Sequence, residues 1–322
     1  MTTTRRQLLL ASLAATAAGS ARAAWPERPI TFICPWPAGG TADMTMRALC
    51  VAAARALGQP IVLENRAGVS GMLGLRALAS AKPDGYTVGQ IPISVTRFAQ
   101  LGTVQIDPLK DLSYLARTSG QTFGIAVRAD SPWATLKDLA AAAKAAPGRI
   151  SYASSGIGGA THVGMEEWAH AAGVQLNHVP YKGGAPALQD LIGGQVDALA
   201  DSSSWAPYVK SGKLRLLATW GASRTMDFPA VPTLRELGWD VVVDAPNGVG
   251  APRGLDEAIE RRLREAFKLA AASPEFTSAC ARIDAPVMYL DGPDYARYVA
   301  DTYKRETALI ERLKLKDLLA KG

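Results

Sequence analysis

Short β-rich runs alternate with longer helical stretches along most of this chain, and this alternation limits the folds that it can adopt. The first run, Ile30 to Cys34, precedes a stretch from Ala42 to Leu57 in which apolar residues recur on one helical face. Further strands are predicted at Ile61 to Glu64 and Tyr86 to Ile91, with a helix at Gly71 to Ala81 between them. Strands separated in this way by helices predict right-handed crossovers and a parallel sheet.

A second series of strands and helices begins near Gly124 and predicts a second α/β lobe. Its strands are predicted at Gly124–Val127, Ile150–Ala153, Asn177–Pro180, Val196–Ala200 and Leu214–Ala218, and its helices at Leu136–Ala146, Thr161–Ala172, Ala185–Ile192 and Trp205–Lys210. After residue 251 the pattern is mostly helical, with one strand at Val287 to Leu290. Because a single strand cannot build a third sheet, we expect this tail to pack on the first lobe. The expected division is 24–123 for the first part of lobe 1, 124–246 for lobe 2 and 247–322 for the helical second part of lobe 1.

Residues 1–23 are typical of an export signal. Arg5 and Arg6 precede an uncharged stretch rich in Leu and Ala, and Ala21-Arg22-Ala23 forms an A-x-A cleavage site. We therefore expect cleavage after Ala23 and a mature protein in the periplasm. The adjacent arginines resemble a twin-arginine signal, but ordinary Sec leaders carry such pairs too, so both export routes stay open.

Composition and charge exclude some classes of partner and of site. The 322 residues carry 35 basic and 29 acidic side chains, but three of the basic ones lie in the leader, so the remainder has a net charge of only +3. Such a chain lacks the positive field that nucleic-acid binding by counterion release requires. Cys34, Cys50 and Cys280 cannot all pair with one another, so we expect buried, unreactive thiols and no disulfide framework.

Common catalytic and metal-binding motifs are absent from the sequence. It has no G-x-x-x-x-G-K-[ST], G-x-S-x-G, H-E-x-x-H or C-x-x-C pattern. His162, His170 and His178 have no partner at metal-ligand spacing, so we expect structural histidines and no metal site. The run from Ser154 to Gly158 is only a weak match to a dinucleotide fingerprint, since Thr161 stands where the third glycine belongs, and we expect no cofactor.

Three glycine-rich turns each join a predicted strand to the helix that follows it. In this position unpaired backbone N–H groups and the positive end of the helix dipole meet a ligand. The turns are 35–43, 154–161 and 181–184. They predict a site for an anion that is built with almost no fixed charge, although each turn taken alone is also compatible with an ordinary capped helix start.

Eight short segments, in the same order along the chain, resemble the Bug or TctC-like periplasmic solute-binding proteins of tripartite tricarboxylate transport. They include Glu-Asn-Arg-Ala-Gly, Lys-Pro-Asp-Gly-Tyr-Thr and Gly-Gly-Gln-Val-Asp, and they occupy residues 29–43, 64–68, 82–87, 147–156, 179–188, 193–197, 212–215 and 231–233. The resemblance extends from Trp25 to about Leu315. It implies a type II periplasmic binding protein fold, in which two α/β lobes joined by two crossings hold a carboxylate in the cleft between them.

The resemblance also implies which residues bind the ligand. They are Trp36, Ala38, Gly39, Gly40 and Asp43 in the first turn, Ser154, Ser155, Gly156 and Thr161 in the second, Tyr181 and Gly183 in the third, and Asp201. Asp43 would repel a carboxylate directly, so we expect it to act through a water bridge or to support the helix start. Trp36 stands where the family usually has Phe, and Ala245-Pro246-Asn247 where it tends to have an aromatic residue, so the solute cannot be copied from relatives.

The leading interpretation is a monomeric binding protein, and not an enzyme, that delivers a small organic carboxylate to transporter membrane subunits or to a sensor kinase. We expect its lobes to close about hinges near Gln121–Gly124 and Ala245–Gly248. The flat surface of Trp36 favours aromatic monocarboxylates and dicarboxylates over citrate, although this side chain is equally compatible with simply filling the surface of its lobe.

Two alternatives belong to other classes. One is a secreted hydrolase or lyase with a nucleophile from Ser154, Ser155 or Ser202–Ser204, but it lacks a base because no histidine matches a nucleophile elbow. The other is an exported interaction protein with a vestigial cleft.

Overall fold

A computed structural model describes residues 25–320, so the predicted leader lies outside the described residues. The strands of this part of the chain are β1 (Ile30–Cys34), β2 (Ile61–Asn65), β3 (Thr87–Ile91), β4 (Leu112–Ser119), β5 (Phe123–Arg128), β6 (Ser151–Ser154), β7 (Asn177–Pro180), β8 (Ala198–Ser202), β9 (Leu214–Thr219), β10 (Asn247–Pro252) and β11 (Val287–Asp291). The helices are α1 (Thr41–Leu57), α2 (Met72–Ala79), α3 (Val95–Gln100), α4 (Leu136–Ala145), α5 (Ala160–Ala172), α6 (Gly184–Ile192), α7 (Ala206–Lys210), α8 (Glu257–Ala271), α9 (Pro274–Arg282), α10 (Gly292–Arg312) and α11 (Leu315–Ala320).

The strands form two sheets, one in each lobe. The first sheet has the order β11-β4-β10-β3-β1-β2 and the second the order β7-β6-β8-β5-β9. The chain therefore passes from the first sheet to the second after Ser119 and returns before Asn247. The helical tail packs on the first lobe, where α8 lies against α1 and β4, and α10 lies against β4. The expected architecture of two α/β lobes is confirmed.

Parallel pairing is confirmed for β1 with β2 and β3, and for β6 with β7 and β8. The prediction of a wholly parallel sheet is wrong, because each sheet also contains antiparallel strands. β10 runs antiparallel to β3 and β4, β11 runs antiparallel to β4, and β5 runs antiparallel to β8 and β9. β5 and β10 are the strands with which the chain enters one lobe directly from the other. Since no helical crossover precedes them, the rule that makes βαβ units parallel does not apply to them.

Two strands escaped the sequence analysis for different reasons. β4 is buried along its whole length although half of its residues are polar, namely Ser113, Arg117, Thr118 and Ser119, so it shows neither an apolar run nor an alternating pattern. β10 reads Asn-Gly-Val-Gly-Ala-Pro, a composition typical of turns. It is nevertheless completely buried, because Gly248 lets the ring of Tyr295 lie directly against the backbone, where a β-carbon would overlap the ring.

The beginnings of several helices are capped by side chains. Thr135 at the start of α4 forms a capping box with Asp138, Asp256 caps α8, Ser273 caps α9 and Asp291 caps α10. Each cap satisfies N–H groups that the first helical turn cannot pair within the helix. None of the helices in the described range is long and apolar enough to span a membrane.

The three cysteines are free and buried, as the sequence predicted. Burial raises the pKa of the Cys34 thiol to about 12 and that of the Cys280 thiol to about 12. Since the thiolate is the reactive form, neither residue has the character of a nucleophile.

Candidate ligand cleft

A cavity lies between the lobes. The residues that follow β1 and β3 lie beside it, as does Ser202, the last residue of β8. The space outside the protein atoms at this site measures about 630 Å³, a figure that includes open solvent. Its lining residues are Trp36, Pro37, Gly40, Thr41, Ala42, Gln90, Pro92, Ile93, Ser94, Gln121, Phe123, Ser155, Ala160, Thr161, Gly184, Asp201, Ser202, Ala245 and Pro246. Both lobes and both crossings between them therefore contribute to one cavity.

Three helices begin at this cavity: α1 from the first lobe, and α5 and α6 from the second. Their N-cap residues are Gly40, Gly159 and Gly183, and none of these makes a side-chain hydrogen bond to the helix. The N–H groups of the first turns are thus left without a capping side chain, and the positive ends of three helix dipoles converge on the same space. Such an arrangement favours an anion.

The cavity has almost no fixed charge of its own. Among the described residues, its lining contains no Lys, Arg or His, and Asp201 is its single acidic residue. Asp201 is 2% exposed and accepts a hydrogen bond from the hydroxyl of Ser204. Burial raises the pKa of the Asp201 carboxyl to about 7. The attraction for an anion therefore comes from backbone N–H groups and hydroxyls rather than from a basic side chain.

The structure separates the residues that the sequence singled out into two groups. Trp36, Gly40, Ser155, Thr161 and Asp201 line the cavity. The others lie outside the lining: Ala38, Gly39, Asp43, Ser154, Gly156, Tyr181 and Gly183. The second group includes the residues whose side chains or backbone hold the three turns in place.

Asp43 braces the first turn. Its Oδ2 accepts hydrogen bonds from the backbone N–H of Gly39 at 3.0 Å and from Arg47 Nε at 3.1 Å, and its Oδ1 accepts one from Asn65 Nδ2 at 2.8 Å. Asn65 also donates to the carbonyl of Trp36 at 2.9 Å, which ties the turn to β2. Burial alone would raise the pKa of Asp43, but the hydrogen bonds from Arg47, Gly39 and Asn65 lower it below its ordinary value. Both oxygens of this carboxylate therefore accept hydrogen bonds from the protein.

Two histidines support the second turn. The rings of His162 and His178 are stacked with their centroids 3.9 Å apart. His162 Nδ1 accepts the backbone N–H of Gly158 at 2.9 Å, and His178 Nε2 lies 2.7 Å from Ser154 Oγ. Burial lowers the pKa of His162 to about 3 and that of His178 to about 4, so both rings are neutral near pH 7. Both act structurally, and the described residues hold no cluster of three or more potential metal ligands.

The contact between Ser154 and His178 bears on catalysis. The two residues lie on neighbouring strands, β6 and β7, so no nucleophile-elbow motif in the sequence indicates the contact. Ser154 is fully buried, however, and lies outside the cavity lining. Three serines line the cavity: Ser155 pairs with Thr161, Ser202 pairs with Thr41, and Ser94 makes no side-chain hydrogen bond among the described residues, so none of the three is paired with a base.

The third turn allows the lobes to approach each other closely. Gly183 has a φ of +133°, which a side chain rarely tolerates, and a β-carbon there would collide with the ring of Pro37 in the first lobe. Tyr181, which precedes it, donates its hydroxyl to Asp190 Oδ2 at 2.5 Å rather than into the cavity. Glycine is therefore needed here for the fit between lobes.

Direct contacts join the lobes around the cavity. Ser202 Oγ donates to Thr41 Oγ1 at 3.1 Å, and Ser70 Oγ donates to the carbonyl of Ile157 at 2.6 Å. Arg97 donates to the carbonyl of Gly158 at 2.9 Å while its other nitrogens pair with Glu306. These hydrogen bonds connect the two lobes directly.

Several lining residues were missed by the sequence analysis, notably Gln90, Ser94 and Gln121. Gln90 is a polar residue directly before the apolar end of β3, and this was the one available signal. Ser94 and Gln121 lie in short connections after β3 and β4 that carry no motif. Only the pairing of the strands brings them to the cavity.

Comparison with known proteins finds a matching family model and several relatives. The family model for TctC, the tripartite tricarboxylate transporter family receptor, matches residues 45–315. A UPF0065 protein of Cupriavidus necator is 43% identical over 303 residues, which cover 94% of this chain and 93% of the relative. Protein BugT of Bordetella pertussis is 33% identical over 297 residues, which cover 89% of each chain.

Solved structures share the fold. The periplasmic binding protein BugD superimposes with a TM-score of 0.85 at 28% identity, covering 90% of this chain and 99% of that one. A protein of R. palustris solved with adipate gives a TM-score of 0.85 at 28% identity, covering 90% and 98%. MatC from Rhodopseudomonas palustris, solved with bound malate, gives 0.82 at 27% identity, covering 89% and 100%. The two-lobed periplasmic binding protein fold that the sequence predicted is confirmed.

Proposed function

The chain belongs to the tripartite tricarboxylate transporter receptor family of solute-binding proteins, and on that premise we propose that it captures a small organic carboxylate in the cleft between its lobes. One observation carries the proposal: three helices from both lobes begin at a single cavity with glycine N-caps and no capping side chain. Their unpaired N–H groups are suited to a carboxylate. Two structural neighbours at 27–28% identity hold carboxylates, adipate in one and malate in the other.

In this proposal the ligand carboxylate accepts hydrogen bonds from the first turns of α1, α5 and α6. The hydroxyl of Thr41 adds a donor at the start of α1, and one of the two paired hydroxyls of Ser155 and Thr161 adds a donor at the start of α5. Asp201 stands beside Gly184 at the start of α6, where its elevated pKa allows it to be protonated and to donate in turn. Trp36 contributes a flat apolar wall and favours aromatic monocarboxylates and dicarboxylates over citrate.

The proposed site residues outside the cavity lining hold the three turns in place and do not contact the solute. Asp43 holds Ala38 and Gly39 in the turn that precedes α1, and Ser154 and Gly156 shape the turn before α5. Tyr181 and Gly183 set the approach of α6 to the first lobe. Neither lobe alone supplies all three helix starts, so binding requires closure. The hinges proposed for this motion are the two crossings, Gln121–Gly124 and Ala245–Gly248.

The same family membership supports a role outside the cytoplasm. We propose export with cleavage after Ala23, a residue outside the described range, and delivery of the solute by a monomer to transporter membrane subunits or to a sensor kinase. We also propose that the cleft is not catalytic. No histidine lines the described cavity, and the single buried Ser154–His178 pair does not face it.

A thermal-shift screen with a library of carboxylates tests the proposal. A solute that binds only the folded protein and is present at 100 times its Kd stabilises it by about 2.7 kcal/mol, a rise of several degrees in Tm for a chain of this size. The bound solute should be recovered chemically unchanged after prolonged incubation. A library in which no carboxylate raises Tm would contradict capture, and conversion of the ligand would favour the hydrolase or lyase instead.

A further inference from the structure

A buried carboxyl group lies in the cleft where the proposed solute carboxylate binds. Asp201 stands near the end of β8, is 2% exposed and lines the cavity. Its carboxyl lies against Gly184 at the start of α6, so closely that a β-carbon on this glycine would overlap it. An ionised Asp201 would therefore compete with an anionic solute for the positive end of this helix.

The protein does little to stabilise a negative charge on Asp201. The hydroxyl of Ser204 donates to Asp201 Oδ2, and the backbone N–H of Ser202 is the second donor that acts on the carboxyl. Burial outweighs these two hydrogen bonds and raises the pKa of Asp201 to about 7. Asp201 is the one titratable side chain in the described lining of the cavity.

The titratable side chains of the elements around Asp201 leave its carboxyl unpaired. Those that have partners of their own or stay neutral are Arg128 in β5, Tyr152 in β6, Asp190 in α6, Asp43 in α1, Glu166 and Glu167 in α5, and His162 and His178 behind the second turn. Lys182, in the third turn, is exposed to solvent and does not act on the pKa of Asp201. No cation of the described residues therefore neutralises this carboxyl.

The other polar side chains of the lining cannot offset a second negative charge. Gln90 and Gln121 donate their amide N–H groups to Asn247 Oδ1, at 2.9 Å and 3.1 Å. Gln90 Oε1 has no donor among the described residues, so this part of the lining already holds an unpaired acceptor. A solute carboxylate and an ionised Asp201 in the same cleft would repel each other. Such repulsion raises the pKa of one of the two groups.

We propose that the protein binds its solute together with one proton, which Asp201 takes up from the solvent as the solute carboxylate enters the cleft. The proton removes the repulsion and makes Asp201 a hydrogen-bond donor. Because coupling between two ligands is reciprocal, the solute binds more tightly when Asp201 is already protonated. The inference rests on the proposed function, since it requires an anion in the cleft, and it holds for monocarboxylates and dicarboxylates alike.

Calorimetry with benzoate, adipate and malate at several pH values tests the proposal. These acids stay ionised from pH 6.5 to pH 9, so a change in affinity over this range arises in the protein. We expect the affinity for an acid that binds to fall about tenfold or more between these values, with uptake of about one proton per solute at pH 8. Titrations in buffers of different ionisation enthalpy measure the uptake. An affinity that stays within twofold, or binding without proton uptake, would overturn the proposal.

Three variants locate the proton. Asp201→Asn has no group that titrates at this position, so both the pH dependence of the affinity and the proton uptake should disappear. Ser204→Ala removes a hydrogen bond that favours the ionised form, so the fall in affinity should begin at a higher pH. Glu166→Gln is the matched control and should keep the wild-type profile, because Glu166 is a carboxyl of the same lobe whose pKa is also raised by burial but which lies outside the lining.

Proton uptake that persists in Asp201→Asn, or that disappears in Glu166→Gln, would overturn the assignment to Asp201. β-Alanine is compared with propionate, because an ionised Asp201 would pair with an ammonium group instead of taking up a proton. Tighter binding of β-alanine than of propionate, without proton uptake, would also overturn the proposal. If no acid of any class binds the wild-type protein at pH 6.5, the proposed function itself fails, whereas an acid that binds without a proton contradicts this inference alone.

Discussion

Helix starts at the cleft differ from helix starts elsewhere in the molecule. α1, α5 and α6 begin at the cavity with Gly40, Gly159 and Gly183 as N-caps, and none of the three is capped by a side chain. A second group of helices, α4, α8, α9 and α10, begins away from the cavity with hydroxyl or carboxylate caps. In these seven helices, side chains satisfy N–H groups at the starts away from the cavity and none does so at the cleft, where a ligand can take them. α2 and α7 also begin without a side-chain cap, although they lie away from the cavity.

The largest effect on solute binding is expected when a capping side chain is introduced at a helix start in the cleft. Gly40 has the extended backbone of a capping residue, and a β-carbon there would lie 3.5 Å from the carbonyl of Pro37, so Gly40→Asp fits. The new carboxylate takes the N–H groups of α1 and repels an anion. We expect affinity for the solute to fall at least 100-fold, about 2.7 kcal/mol, while Tm stays the same or rises slightly. Calorimetry and thermal unfolding measure the two effects.

Gly40→Ser is the control for this change, since a hydroxyl caps the helix without adding charge. It should weaken binding less than Gly40→Asp does. Binding by Gly40→Asp within fivefold of the wild type would show that α1 does not hold the carboxylate.

The pH dependence of stability tests the neutral histidines that support the start of α5. In the unfolded chain histidine titrates near pH 6.5, whereas burial lowers the pKa of His178 to about 4 and that of His162 to about 3 in the fold. Between these values the unfolded state binds more protons. The free energy of unfolding contributed by each ring is therefore fully present above pH 6.5 and falls by about 1.4 kcal/mol per pH unit as the pH decreases.

Denaturant unfolding between pH 7 and pH 4.5 measures this slope. His178→Gln, which can still pair with Ser154, should reduce it, whereas His170→Gln at an exposed position is the control. Equal slopes in the wild type and His178→Gln would mean that His178 does not stay neutral in the fold.

A smaller effect is expected from removing a cap on the outside. Asp256 accepts hydrogen bonds from the N–H groups of Ala258 and Ile259 at the start of α8. Asp256→Ala should lower the free energy of unfolding by about 1 kcal/mol and leave solute affinity unchanged. Thr135→Ala in α4 should behave in the same way. A loss of solute affinity in either variant would contradict the conclusion that these capped helix starts play no part in binding.

The smallest expected effect concerns specificity, that is, the preference for one carboxylate over another. Backbone N–H groups do not distinguish one carboxylate from another, so selection must come from side chains such as Trp36. Trp36→Ala should weaken an aromatic acid by about 1 kcal/mol more than an aliphatic acid of similar size, about fivefold. Calorimetry with benzoate and hexanoate measures the difference. Equal losses for both acids, or no loss, would remove Trp36 as a selector.

The parts of the site that sequence could predict are those made by consecutive residues. The strand before the first turn was predicted at Ile30 to Cys34, where β1 lies, and the helix after it was predicted to begin at residue 42, one residue inside α1. Glycines and small polar residues between a strand and a helix have a local meaning, because they act on the backbone of their own turn. The two turns of the second lobe could be placed for the same reason.

The parts that sequence could not predict depend on residues far apart in the chain. Gln90 and Asn247 are separated by 157 positions, and their amide network exists because β10 returns from the second lobe to pair with β3. The composition of β10 indicated a turn, and its burial against Tyr295 overrode that local preference. Likewise, Ser154 and His178 meet only through the pairing of β6 and β7.

The sequence by itself determined the two-lobed α/β organisation, the positions of the glycine-rich helix starts and, through eight ordered segments, the resemblance to a family. These features follow from periodicity, turn chemistry and local backbone freedom, which neighbouring residues settle among themselves. Tertiary structure alone decided which helix starts share a cavity, that Asp43 braces a turn instead of facing the solute, and that one oxygen of Gln90 has no donor in the described protein. Each depends on strand register and on the approach of two lobes, which no local pattern encodes.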